Sequence, residues 1–128
     1  MAFVDFTTQS LGTRPPSFAL GGFNFTAANM RVRVDPGSAP NGLTFSVTDL
    51  RIELEESAAD VFLALTVDNA TQVMAYDMSG APIPPVYTFP ENSGGRIAVF
   101  HAPNPVIREL RVTVGDDENL INVVTSHP

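Results

Sequence analysis

Apolar side chains recur at every second position through most of this chain, and no stretch of ten residues carries a convincing helical spacing. That period constrains the fold more than any motif does. Side chains alternate between the faces of a strand with period 2, whereas a helix face returns every 3.6 residues. In MRVRV, Met30, Val32 and Val34 fall on one side and Arg31 and Arg33 on the other. LTFSV sets Leu43, Phe45 and Val47 against Thr44 and Ser46, and LRIELEE sets Leu50, Ile52 and Leu54 against Arg51, Glu53 and Glu55. ELRVTV sets Leu110, Val112 and Val114 against Arg111 and Thr113. One apolar and one wet face is the habit of antiparallel sheets. DVFLALTVDN (60–69) is apolar on both sides, with Phe62 and Ala64 opposing Val61, Leu63, Leu65 and Val67, so it reads as a central strand or one covered twice.

Between these runs lie clusters of Gly, Pro, Asn and Asp at 35–42, 68–71, 78–82, 90–95, 102–105 and 115–119. These residue types supply turn dihedrals or local hydrogen bonds. Strand candidates are 2–6, 18–27 (with a break at Gly21-Gly22), 30–35, 43–48, 50–56, 60–67, 72–77, 86–89, 96–101, 107–114 and 119–125, and some are expected to merge. ESAAD (56–60) is the one place where a helical turn fits. Short strands with turns at intervals of about 8–12 residues predict a sandwich or barrel. The expectation is an all-β, antiparallel, jelly-roll-like β-sandwich of about 8–10 strands, a single domain spanning residues 1–128.

At 128 residues, one domain buries about two-thirds of the surface its unfolded chain exposes, enough for a core without staples. The absence of cysteine excludes disulfides, thiol catalysis and thiolate metal sites. No window approaches 18 continuous apolar residues, so no membrane-spanning helix is expected. MAFVDFTTQS lacks the basic and long apolar regions of a signal peptide, so export would need a leader already removed or another route. The net charge is −7 and all seven cations are arginines, without a basic stripe. That balance argues against nucleic acid and against anionic membrane surfaces, and leaves room for divalent cations.

The series FNFTA, MRVRV, VTDLRIELEE, VFLALTV, VMAYDMSGAPI, RIAVFH, VIRELRVTV and LINVV resembles the jelly-roll β-sandwich modules of secreted and surface bacterial proteins, carbohydrate-binding-module-like domains among them, and of phage particle proteins. The likeness covers roughly residues 43–125 and includes the Ala-Tyr-Asp-x-x-Gly strand end. It implies the fold, and a glycan or calcium site as one use of it. Asn122 stands where that pattern has a carboxylate, and the chain has no tryptophan.

The candidate sites follow from residue chemistry. Asp77 precedes a Ser-Gly turn and reads as the acceptor that bends it, with Gly80 taking a positive φ and Pro82, Pro84 and Pro85 keeping the next segment out of a central ladder. The densest oxygen cluster is Asp116, Asp117, Glu118 and Asn119. Asp5 and Asn122 complete a calcium site if the chain termini pair, and a solvated acidic hairpin is the alternative that the irregular spacing favours. His101 reads as a strand-end residue bonded to a loop carbonyl, and it and His127 lack the spacing of a transition-metal site. No Gly-x-Ser-x-Gly elbow, phosphate loop or facing carboxylate pair supports catalysis, so no enzyme and no obligatory cofactor are expected.

Nine phenylalanines are too many for one inner layer if alternation holds, which points to Phe23, Phe62 and Phe100 as interface residues. Tyr76, Tyr87, Asn92 and Asn104 are the platform a glycan would use. Two readings stand. One is a non-enzymatic assembly module packing against copies of itself or a larger scaffold, such as a virion decoration or head-fibre, tail-associated or surface-filament subunit. The other is a carbohydrate-binding module, calcium-stabilised where a site forms. Both place it outside the cell, on a virion or at the cell surface.

Overall fold

The alternating runs become strands. The computed structural model describes residues 1–34, 40–46, 49–113 and 119–128. Among them are thirteen strands: β1 (Ala2–Asp5), β2 (Gly12–Thr13), β3 (Ser17–Leu20), β4 (Phe23–Thr26), β5 (Arg31–Arg33), β6 (Gly42–Thr44), β7 (Leu50–Ala58), β8 (Asp60–Val67), β9 (Thr71–Asp77), β10 (Pro82–Phe89), β11 (Gly94–His101), β12 (Ile107–Thr113) and β13 (Leu120–His127). A 3-10 turn at Phe6–Thr8 is the one helical element among the described residues.

Sheet I runs β11-β8-β13-β6-β5-β2, with β1 beside β13; sheet II runs β10-β9-β12-β7-β4-β3. Each of these neighbouring strands is antiparallel to the next. From β6 onward the order has a simple logic. β6 pairs with β13, β7 with β12, β8 with β11 and β9 with β10, as in one long hairpin rolled on itself. The β13·β8 and β12·β9 ladders close the roll into two sheets. This is jelly-roll connectivity. The first five strands thicken it: β1 extends sheet I along β13, and the β3–β4 hairpin extends sheet II beyond β7.

The core lies between the sheets. From sheet I, Val61, Leu63, Leu65, Ala98, Phe100 and Val124 point inward; from sheet II, Phe23, Phe25, Ile52, Val73, Leu110 and Val112 meet them, all nearly or fully buried. Phe6, in the 3-10 turn, sets its ring edge against Phe25 at 5.2 Å, and Phe18 stacks on the same ring at 5.1 Å. The inward sets of β7 and β8 are those the alternation predicts.

Several expectations are corrected. Phe23 and Phe100 are fully buried and belong to the core, whereas Phe62 faces outward, partly exposed. In RIAVFH both alternating sets are apolar, so period 2 locates the strand without fixing its phase. Pairing with β8, which sets Phe100 opposite Val61 and Val99 opposite Phe62, decides it. Val34 is exposed because β5 stops at Arg33. Glu56 to Ala58 continue β7 and only Ala59 separates it from β8, so ESAAD is a strand joint and not a helical turn. The strand count among the described residues is thirteen, above the expected 8–10, because none of the eleven candidate segments merges, 18–27 divides at the Gly21-Gly22 turn, and β2 is a two-residue strand too short to carry a periodic signal.

Candidate functional site

The outward face of sheet I is built by adjacent strands whose alternation leaves apolar side chains on the wet side. Across β1, β13, β8 and β11 the register aligns Phe3, Thr125, Phe62 and Val99 in one row. The next row is Asp5, Val123, Ala64 and Ile97. Phe3, Val99 and Ile97 are 52%, 47% and 53% exposed. At the other end of the same face the register brings His101 and His127 to either side of Asp60. His101 Nδ1 lies 2.6 Å from Asp60 Oδ1, so its strand-end partner is a cross-strand carboxylate and not the expected loop carbonyl.

The edges of both sheets are closed by different devices. β10 carries Pro82, Pro84 and Pro85, which offer no N–H for a further ladder. Tyr87 reaches from β10 to the edge of β11, where its hydroxyl donates to the Val99 carbonyl at 2.8 Å and accepts from the Val99 N–H at 3.1 Å. Its ring packs on Phe89 and edge-on to Phe100. At the opposite edges β2 has two residues and β3 follows Pro15-Pro16. Short strands and prolines are the usual protection against edge-to-edge pairing.

On the outward face of sheet II, Glu109 is held between two arginines. Its Oε1 accepts from Arg51 Nε at 3.1 Å and Nη2 at 2.7 Å, and its Oε2 accepts from Arg111 Nε at 2.6 Å. Arg51 also lies 3.4 Å from Glu53, and Arg111 sits over the Tyr76 ring, 5.0 Å from its centroid. A register shift between Ile107 and Glu109 turns the Glu109 carboxylate onto this face, where it remains largely covered. Burial pushes its carboxyl up, but the hydrogen bonds and charges of Arg51 and Arg111 together outweigh that and hold it below the usual glutamate value. A carboxylate so neutralised is a structural cross-link between β7 and β12 and is poorly suited to proton transfer.

The other residues singled out from the sequence are dispersed. Asp77 Oδ1 accepts from the Ser79 N–H, the Ser79 hydroxyl and the Ala81 N–H, while the Gly80 N–H bonds back to Asp77 O with Gly80 at φ 84°. The Ser79 hydroxyl and the backbone amides of the turn hold the Asp77 carboxyl below its usual value. The termini do pair, setting Asp5 opposite Val123, yet Asp5 and Asn122 have separate tasks. Asp5 Oδ1 accepts from Thr7 N at 2.9 Å and caps the 3-10 turn. Asn122 sits at a register shift in β13, buried, with its Nδ2 donating to the carbonyls of Pro40 and Asn41 and its Oδ1 accepting from the Thr66 hydroxyl. Asp116, Asp117 and Glu118 lie outside the described residues. Among the described residues no group of three or more His, Asp or Glu side chains could hold a metal ion.

Asn92 is an exposed turn residue at φ 55°, and Asn104 an exposed loop residue whose carbonyl accepts from the Val106 N–H. Tyr76 and Tyr87 share no platform: one ring lies on the outward face of sheet II beneath a guanidinium, the other is pinned at the β11 edge.

Asn119 is the residue whose role the sequence did not disclose. It is 1% exposed; its Oδ1 accepts from the N–H groups of Asp68 and Asn69, both at 2.8 Å, and its Nδ2 donates to the Thr71 hydroxyl and the Asn69 carbonyl. In the sequence it stands as one more polar residue in an acidic turn. Its partners lie about fifty positions away, which no local signal reaches.

Compared with known protein-family models and with curated protein sequences, the chain matches none.

Proposed function

We propose that this protein is a non-enzymatic assembly module that packs against a second copy of itself through the outward face of sheet I. The observation that carries the reading is the double row centred on Phe3, Phe62, Val99 and Ile97, apolar across four hydrogen-bonded strands and open to solvent. Contiguous apolar patches on a protein surface mark interaction sites. With the edges of both sheets blunted, association by strand addition is disfavoured and the face remains.

A face pairing with its own copy needs only one self-complementary surface, the commonest form of homo-oligomer. The rows contain one carboxylate, Asp5, already engaged by Thr7, so like-charge contact between copies is small there despite the net charge of −7. Repeated use of such a face suits a subunit of a particle surface or filament, or one docked on a larger scaffold. A carbohydrate site is less well supported, because the Tyr76 ring is covered by Arg111 and the Tyr87 hydroxyl is bound to backbone.

Light scattering on a size-exclusion column tests this. The untagged chain should run as a discrete oligomer of its 13.7 kDa subunit, and Ile97→Lys combined with Val99→Lys should run as a folded monomer. A wild-type chain that stays at the subunit mass up to millimolar concentration would overturn the proposal.

A further inference from the structure

We infer that the end of the sandwich where β1 and β13 meet β7 holds a binding site for a primary ammonium group on a short alkyl stem, the chemistry of a free alkylamine or of a lysine side chain. The inference does not rest on self-association through sheet I. A cleft of about 420 Å³ opens there between the two sheets, a size within the roughly 300–1,000 Å³ of small-ligand sites. Ser126 lines it from sheet I, Glu55, Glu56 and Ser57 line it from sheet II, and the Gly21-Gly22 turn forms part of its wall.

The residue that points to a ligand is Ser126. It stands on the inward phase of β13, two positions beyond Val124, and is 5% exposed. It lines the cleft, yet its hydroxyl has no hydrogen-bond partner among the described residues. Buried polar groups are hydrogen-bonded as a rule, so a donor entering the cleft meets an acceptor that is already desolvated and unpaired. The wall around it is braced. Ala2 is the direct partner of Ser126 in the β1–β13 ladder. The Gly22 carbonyl accepts from the Glu55 N–H at 3.0 Å and the Gly21 carbonyl from the Phe3 N–H at 3.2 Å, which ties the turn to both sheets. Small residues keep the space open, since a Cβ on Gly22 would lie 2.8 Å from the Ala2 Cβ.

The lining selects its ligand by charge and by donor count. Glu55 and Glu56 are exposed carboxylates. Among the described residues that line the cleft none is an arginine or a histidine, and the cation present is the Met1 ammonium. Two carboxylates against one ammonium leave a formal charge of −1. The acceptors come from separate elements, the Ser126 hydroxyl from one sheet and the Ser57 hydroxyl and the glutamates from the other. An ammonium is a compact charge with three diverging N–H donors and no acceptor, so it suits acceptors placed around it, whereas a planar guanidinium suits one facing carboxylate. The alkyl stem runs along Ala2, Ala58 and Gly22, which present nothing larger than a methyl group. This chain contains no lysine, so the group is brought by a different molecule and not by a second copy.

The test is an NMR titration of the isotope-labelled chain at neutral pH and constant ionic strength, with n-butylamine and with a blocked Gly-Lys-Gly tripeptide. Both probes should shift the amides of Gly22, Ser57 and Ser126 saturably, while n-butanol, with the same stem and no charge, should not. Glu55→Gln combined with Glu56→Gln should weaken binding at least about tenfold, and Ser126→Ala about threefold or more. The two glutamates are exposed, so their double variant should unfold at the wild-type temperature and keeps the test readable if Ser126→Ala is unstable. A tripeptide bound at least about tenfold tighter than n-butylamine assigns the group to a protein lysine, and comparable affinities assign it to a free amine. Neither probe shifting these amides up to about 50 mM would overturn the inference. So would equal shifts with n-butanol, or unchanged affinity in the double glutamine variant.

Discussion

At the scale of single residues, the groups that matter most are polar ones whose partners are distant in sequence. Asn119 satisfies two backbone N–H groups, a carbonyl and a hydroxyl of the β8–β9 turn with one amide. Asn119→Ala leaves partly buried donors without acceptors, at about 1–3 kcal/mol for a buried group left unmatched. Urea denaturation should show a loss of roughly 2–3 kcal/mol, while Asn119→Asp should lose less because it keeps the oxygen that accepts from both N–H groups. Glu109 makes the corresponding argument for charge. Its carboxyl is held below the ordinary 4.5, so its ionised form binds more strongly in the folded state than in the unfolded chain. The resulting stability is present above the unfolded value. It is lost as pH falls from there through the lower folded value. Wild-type stability should therefore drop more steeply below pH 4.5 than that of Glu109→Gln, the variant being the weaker by roughly 1–3 kcal/mol at neutral pH. Parallel pH curves in thermal unfolding would contradict the assignment.

At the scale of elements, the Gly21-Gly22 turn shows why a short hairpin sets the packing of a third strand. Both glycines have positive φ, 60° and 93°, the two-residue form that matches strand twist. A Cβ on Gly21 would lie 2.4 Å from the Phe3 carbonyl oxygen, and the Gly21 carbonyl accepts from the Phe3 N–H. Gly21→Ala should cost about 1–3 kcal/mol, combining backbone strain with a steric clash. Its signature should be faster amide exchange in β1 as well as in the β3–β4 hairpin. The hairpin itself was legible, since Gly-Gly between two alternating runs is a turn signal. Its contact with β1 was not, because it depends on strands that meet only after the roll closes. Likewise the alternation in LRIELEE fixed which side of β7 is buried, while RIAVFH, apolar on both sides, left the phase of β11 open until β8 paired with it.

At the scale of the whole molecule, two sheets have two outward faces of different chemistry. Sheet II carries the Arg51–Glu109–Arg111 cross-link, whose Arg111 covers the Tyr76 ring, and sheet I carries the apolar rows and the His–Asp–His line. That asymmetry, with blunted edges, is what supports the proposed association through one face. The sequence by itself determined that the chain is all-β and antiparallel, that its turns fall where Gly, Pro, Asn and Asp cluster, and that most of its inward residues are those of the alternating runs. These are local properties, written in a period of two and in the dihedral preferences of single residues. Only the tertiary structure decided which strands are neighbours. It thereby joined Asn119 to a turn fifty residues away and moved Phe23 and Phe100 inside, and it set the two histidines on either side of one aspartate. A period of two gives each residue a face, but cross-strand register alone gives it a neighbour, and register is a property of the closed roll.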